Sequence, residues 1–188
     1  KLDLESTNME SVGVVMGAGN GSVPTIQENC EIMISKGGMR INPFFMPMIL
    51  PNMAAANVAK HFGAKGYNNT VTTACAASTQ SIGEAAEVIR RGAADVVITG
   101  GTEAQISEVG LAGFCILKAL STKNEEPDKA SRPFDVDRDG FVPSEGAAVL
   151  VIEKLEHALE RGANILAEII GFGASSDAYH VVQPDENG

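Results

Sequence analysis

The chain has no excess of positive charge. Of its 188 residues, 14 are Lys or Arg and 24 are Asp or Glu, for a formal net charge of -10. A nucleic-acid binder needs a basic face that releases counterions from phosphate, so this balance argues against one and leaves room only for a local basic patch facing an acidic partner. Long apolar runs are missing too. No stretch reaches the roughly 20 residues that cross a bilayer and no secretory leader is visible, so the reading is cytoplasmic, without a membrane partner. Cysteine is scarce: Cys30, Cys75 and Cys115 are an odd number without metal-ligand spacing. That fits a reducing compartment, at most one functional thiol and no metal centre. No low-complexity segment, short repeat or internal linker interrupts the chain.

What is present is ordinary for one globular domain with a sizeable core, 44% apolar and 20% charged. Residues 11–22, "SVGVVMGAGNGS", predict a buried strand entering a glycine-rich turn. Residues 25–38 predict an amphipathic helix stopped by Gly37 and Gly38. Residues 40–63 hold three prolines and predict an irregular segment, then a helix from about 52 to 61. A strand over 68–75 runs into a helix over 76–92, followed by a buried strand over 94–104 and a short helix within 108–120. Residues 121–146 form a long polar loop, 147–162 a strand and short helix, and 163–180 a long strand. Cys30 and Cys115 lie inside apolar helical patterns and read as buried. Apolar strands alternating with helices predict an α/β domain around a mostly parallel or mixed sheet.

Cys75 stands where the strand gives way to the helix. Unpaired backbone N–H groups and the helix dipole favour an anion there, so the position favours a thiolate. The same N–H groups could hold an oxyanion formed when that thiolate attacks a carbonyl. Small neighbours, Ala74, Ala76, Ala77 and Ser78, leave room for a substrate. The alternative on these residues alone is a small buried cysteine.

The segments "TACAAS", "ADVVITGGTEA", "KALST", "ASRPFDVDRDGFVPSEGAAVLVIEKLEHALERGA" and "GFGASSDAYH", in that order, closely resemble the β-ketoacyl-acyl-carrier-protein synthases, most of all those of the synthase II type. The resemblance covers nearly the whole chain. It implies a thiolase-like fold with two similar halves, each a five-stranded mixed sheet with helices, stacked as α-β-α-β-α layers. Residues 1–188 then form a partial synthase domain: most of the N-terminal half without its opening strand and helix, and the start of the C-terminal half from 163 on. The resemblance makes Cys75 the nucleophile that accepts an acyl group from the phosphopantetheine arm of an acyl carrier protein. Malonyl-carrier protein then loses CO₂ and its enolate attacks the thioester, in fatty acid or polyketide elongation. No metal or redox cofactor is implied. The family's two catalytic histidines, its lysine and its late glycine-rich loop lie downstream of the "SDAYH" segment, so His61, His157 and His180 are not those bases, and the 188 residues alone are expected to be inactive.

The same resemblance places Phe45, Gly110 and Phe114 on the walls of an acyl channel, with the "PFFMPMIL" segment reaching it across a homodimer interface, and His180 near the substrate entrance. On the residues alone Phe45 and Phe114 read equally as plain core. Asn20 falls where synthase II has an apolar gate. Arg40 and Lys118 fall where the family presents basic residues to the carrier protein; otherwise they are solvated surface charges. His61 and His157 read as surface residues. Tyr67 stands in place of a proline, and Ser144 and Ala148 in place of glycines, which marks a divergent subgroup. The alternating Asp135, Asp137 and Asp139 lack the closing glutamate of a calcium loop and read as a structural loop paired with Arg132 and Arg138. Competing readings are a chain-length-factor type of subunit without turnover, a stand-alone half, or an enzyme acting on coenzyme A thioesters.

Overall fold

The computed structural model describes residues 2, 3 and 5–188; Lys1 and Leu4, which fall within the span read as a partial synthase domain, lie outside the described residues. The elements in chain order are β1 (Val12–Gly17), α1 (Val23–Lys36), α2 (Phe45–Ile49), α3 (Met53–Phe62), β2 (Asn68–Val71), α4 (Ala77–Arg90), β3 (Val96–Glu103), α5 (Glu108–Ile116), β4 (Gly146–Glu153) and α6 (Leu155–Glu160). The strands make one sheet in the order β2-β1-β3-β4. β1 lies parallel to β2 and to β3, with Val14 opposite both Asn68 and Ile98, while β4 runs antiparallel to β3. The class is therefore α/β with a mixed sheet, as expected, with four strands among the described residues against the five implied for a half.

Alternation along β1 and β3 decides what each face buries. Val15 and Val97 point to one side and pack with Val71, Ala85 and Val88 under α4. Val14, Met16 and Ile98 point to the other and pack with Ala55 under α3. A strand covered on both faces must be apolar at every position, and β1 is buried throughout. Local chemistry fixes the helix ends. Ser22 accepts from the Thr25 N–H with Pro24 in the first turn of α1, and the Ser107 hydroxyl accepts from the Gly110 N–H to start α5.

Four expectations fail. Residues 163–180 are not a strand: among the described residues they have no ladder partner, and an extended apolar segment without one is not a strand. They run past α4 instead, with Phe172 against Gly83 and the Ile169 carbonyl accepting from Arg90. Cys30 and Cys115 are exposed: α1 packs against α2 and α5 rather than over the sheet, so an apolar pattern on these helices does not place a residue in the sheet's core. The acids of residues 131–141 do not pair with Arg132 and Arg138, whose side chains reach the Lys129 and Asp135 carbonyls. Asp139 instead accepts from the Ser121 hydroxyl at 2.6 Å and from the Thr122 N–H and hydroxyl at 2.9 and 3.0 Å. Those bonds, the Ser121 hydroxyl foremost, hold its carboxyl at about 2, below the usual 3.8. His157 is half-buried rather than plainly superficial: its Nδ1 lies 2.9 Å from Glu153 Oε2, and Arg161 grips the same carboxylate. Arg161 first and His157 second hold Glu153 below its ordinary range, against the opposing effect of partial burial.

Candidate active site

β2 and α4 are joined by residues 72–76. The chain reverses within a single 3-10 turn, Ala74–Ala76, in which the Ala76 N–H bonds the Thr73 carbonyl at 3.0 Å. Ala74 takes φ 49, the left-handed region, which costs an L residue about 1–2 kcal/mol. Such strain persists only where the surroundings over-determine it. Here the seat of α4 does so. A Cβ at Gly17 would collide with the backbone of Ala77 and Ser78, and one at Gly101 with the Ser78 side chain, so two glycines let the helix start press onto the ends of β1 and β3. The buried Ser81 hydroxyl sits between the Gly100 carbonyl at 2.6 Å and the Ser78 carbonyl at 2.7 Å and ties helix to sheet.

Cys75 follows the strained alanine and is exposed. Its backbone N–H has no hydrogen-bond partner among the described residues. It opens onto a cleft of about 840 Å³. The cleft wall includes Asn20, Gly110, Leu111, Phe114 and Phe141, with the Phe114 and Phe141 rings edge to face at 5.2 Å. Three loops frame it and are bonded to one another. Glu103 Oε2 accepts from the Gly19 N–H at 2.7 Å, Asn20 Nδ2 donates to Gln105 Oε1 at 2.7 Å, and Glu145 Oε1 accepts from the Ile106 N–H at 2.8 Å.

Of the residues singled out in the sequence, the cleft therefore gathers Cys75, Asn20, Gly110 and Phe114. Phe45 is half-buried on α2 and does not line it. His180 is exposed, its Nδ1 accepting from the Val182 and Gln183 N–H groups at 3.0 and 3.1 Å, away from the cleft lining. Arg40 closes the 3-10 turn Gly38–Arg40 and Lys118 follows α5; both are exposed. Sequence reasoning missed Glu103, Gln105, Glu145 and Phe141. Their partners lie 84, 85 and 39 positions away for the three polar residues, beyond the reach of any local pattern. Among the described residues no cluster of His, Cys, Asp and Glu could hold a metal ion, and no helix is long and apolar enough to cross a membrane.

A strained turn thus presents a thiol to a largely apolar cleft, an arrangement that nucleophilic acyl chemistry could use. Comparison with known proteins identifies the class. Residues 1–158 match the family model for the beta-ketoacyl synthase, N-terminal domain. The chain is 48% identical over 184 residues to the 3-oxoacyl-(acyl-carrier-protein) synthase 2 of Coxiella burnetii (strain RSA 493 / Nine Mile phase I), across 98% of this chain and 44% of that protein. It is 48% identical over 188 residues to the synthase of the same name from Staphylococcus aureus, across 100% of this chain and 46% of that one. The crystal structure of a beta-ketoacyl synthase from Burkholderia phymatum STM815 superposes with a TM-score of 0.88 at 40% identity, over 97% of this chain and 45% of that chain. A type II PKS acyl-carrier protein in complex with its ketosynthase bound to the hexaketide gives 0.81 at 34% identity, over 95% and 45%. The chain belongs to the beta-ketoacyl synthase family and has the thiolase-like fold that its motifs imply. It spans less than half the length of the curated relatives it matches.

Proposed function

We propose that this chain carries the acyl-accepting site of a β-ketoacyl-acyl-carrier-protein synthase. One observation carries the reading: Cys75 is exposed on a strained strand-to-helix turn, at the wall of a cleft rich in apolar side chains. In the first half-reaction the Cys75 thiolate attacks the carbonyl of an acyl thioester. The oxyanion forms beside the Cys75 N–H, the bond to the phosphopantetheine sulfur breaks, and the acyl group stays on Cys75. In a protein of the relatives' full length, malonyl-carrier protein then loses CO₂, and the enolate carbon attacks the Cys75 thioester. The product is a β-ketoacyl chain two carbons longer, and the thiolate is restored. Neither step needs a metal or a redox cofactor.

Phe114 and Gly110 serve as channel wall in this reading, and Asn20 contacts the chain. Phe45 is assigned to the channel of a partner protomer, with β2 as the homodimer strand, and His180 to the entrance. Arg40 and Lys118 are assigned to docking an acidic carrier protein in the cytoplasm; rim charges of this kind chiefly speed encounter. The pathway is fatty acid or polyketide elongation. The test, in a protein of the relatives' full length, is product formation from an acyl donor and malonyl-carrier protein. Cys75→Ser is expected to lower turnover by on the order of a thousandfold or more. Turnover unchanged by that substitution would refute the assignment.

A further inference from the structure

The cleft is largely apolar around Leu111, Phe114 and Phe141; its polar lining is Ser78, Thr102, Ser144, the Glu103 carboxylate already bonded to the Gly19 N–H, and two amide side chains. Asn20 comes from the turn after β1 and Gln105 from the turn after β3, and both line the same cleft as Cys75. They are bonded to each other at 2.7 Å, Asn20 Nδ2 to Gln105 Oε1. Neither swings freely on a loose loop. The Gly19 N–H is held by Glu103 and the Ile106 N–H by Glu145, one position from each amide. Gly110 lets the start of α5 lie close to the Gln105 backbone, since a Cβ there would stand 2.7 Å from the Gln105 carbonyl oxygen.

A primary amide offers one carbonyl acceptor and two N–H donors. The mutual bond uses one donor and one acceptor. Asn20 Oδ1 and the Gln105 NH₂ make no other hydrogen bond among the described residues. Exchanging oxygen and nitrogen in both amides leaves the same remainder, one amide oxygen and one NH₂. That remainder complements a hydroxyl, which donates and accepts, and the NH₂ alone serves a keto oxygen. A plain alkyl chain laid against the pair removes water from both groups and replaces none of those bonds.

We propose that Asn20 and Gln105 act as a specificity pair that favours acyl chains bearing a hydroxyl or keto oxygen over plain alkyl chains of the same length. The proposal rests on the reading of Cys75 as acyl acceptor and names the substrate class of that site. A few placed polar groups in an otherwise apolar cleft are what fix ligand choice in such sites.

The test follows the rate of Cys75 acylation in the intact protein by mass spectrometry. The donors are N-acetylcysteamine thioesters of octanoate and of a panel of its hydroxy and keto analogues, with the oxygen at successive carbons. At least one oxygenated analogue is expected to acylate Cys75 on the order of tenfold faster than octanoate. In the near-isosteric double variant, Asn20→Leu with Gln105→Met, that preference is expected to fall to parity or reverse while octanoate still reacts. Equal rates for all donors in the unmodified protein would overturn the pair and leave the acyl-acceptor reading standing. So would a preference that persists undiminished in the double variant. Failure of every donor to modify Cys75 would overturn both readings together.

Discussion

β1 and β4 lie in the same sheet, are both rich in aliphatic residues, and have opposite environments. Val12, Val14, Val15 and Met16 of β1 are 0–2% exposed. Val149, Leu150 and Val151 of β4 are 49–51% exposed. β1 is central, with α3 on one face and α4 on the other, whereas β4 is an edge strand. An apolar run thus records that a surface is meant to be covered, and only the fold says whether this chain covers it. The two strands also divide the labour of the site. The glycine-bearing ends of β1 and β3 hold the cysteine turn, while β4 brings the Gly146–Ala148 edge of the cleft.

The sharpest way to break the contrast is to disturb the seat of α4. Gly101→Val drives a side chain into Ser78, and a loss of about 3 kcal/mol in denaturant unfolding is expected, with loss of Cys75 reactivity. A destabilisation below about 1 kcal/mol would show that α4 does not need that close approach. Next comes a direct pairing of the two environments. Val97→Ala in the covered core is expected to cost about 2 kcal/mol, and Leu150→Ala on β4 less than about 1, although leucine is the larger side chain. The reverse order would mean that β4 is buried in solution. The same exposed strand predicts that residues 1–188 on their own associate, and that Leu150→Lys lowers the apparent mass in sedimentation. Monodisperse monomer without the substitution would contradict this. Ser81→Ala removes the hydroxyl between the Gly100 and Ser78 carbonyls and is expected to cost about 1–2 kcal/mol.

The smallest effect concerns Asp139. Its carboxyl sits at about 2, below the usual 3.8, so the folded state favours the charged form. Its contribution to stability is present above the ordinary carboxylate range and is lost as the pH falls through the usual value toward 2. An NMR titration of the Asp139 carboxyl should find its midpoint near 2. A midpoint near 4, the ordinary value, would mean that the Ser121 and Thr122 bonds do not form in solution.

Local signals carried much of this structure. The buried runs of β1 and β3 and the change from strand to helix at Cys75 are each written within a few residues. The sites of failure share a cause. Residues 163–180 read as a strand because they are apolar, but strand formation depends on a neighbour elsewhere. Cys30 and Cys115 read as core because each lies among apolar neighbours, but α5 is apolar nearly all round and α1 packs on other helices, so the local pattern does not say which side is covered. Asp139 reads as the partner of nearby arginines, while its partners sit 17 and 18 positions back. The cysteine turn was legible, and the frame of Glu103, Gln105 and Glu145 around it was not, because those bonds join loops that meet only in the fold.

Three exposed thiols in one chain allow the central claim to be tested internally. The measurement is peptide-resolved mass spectrometry of Cys30, Cys75 and Cys115 after brief exposure to an acyl thioester. If the strained turn and its cleft make an acyl acceptor, the adduct appears on Cys75 first and by a wide margin. Equal labelling of the three, or labelling of Cys30 or Cys115 ahead of Cys75, would contradict it.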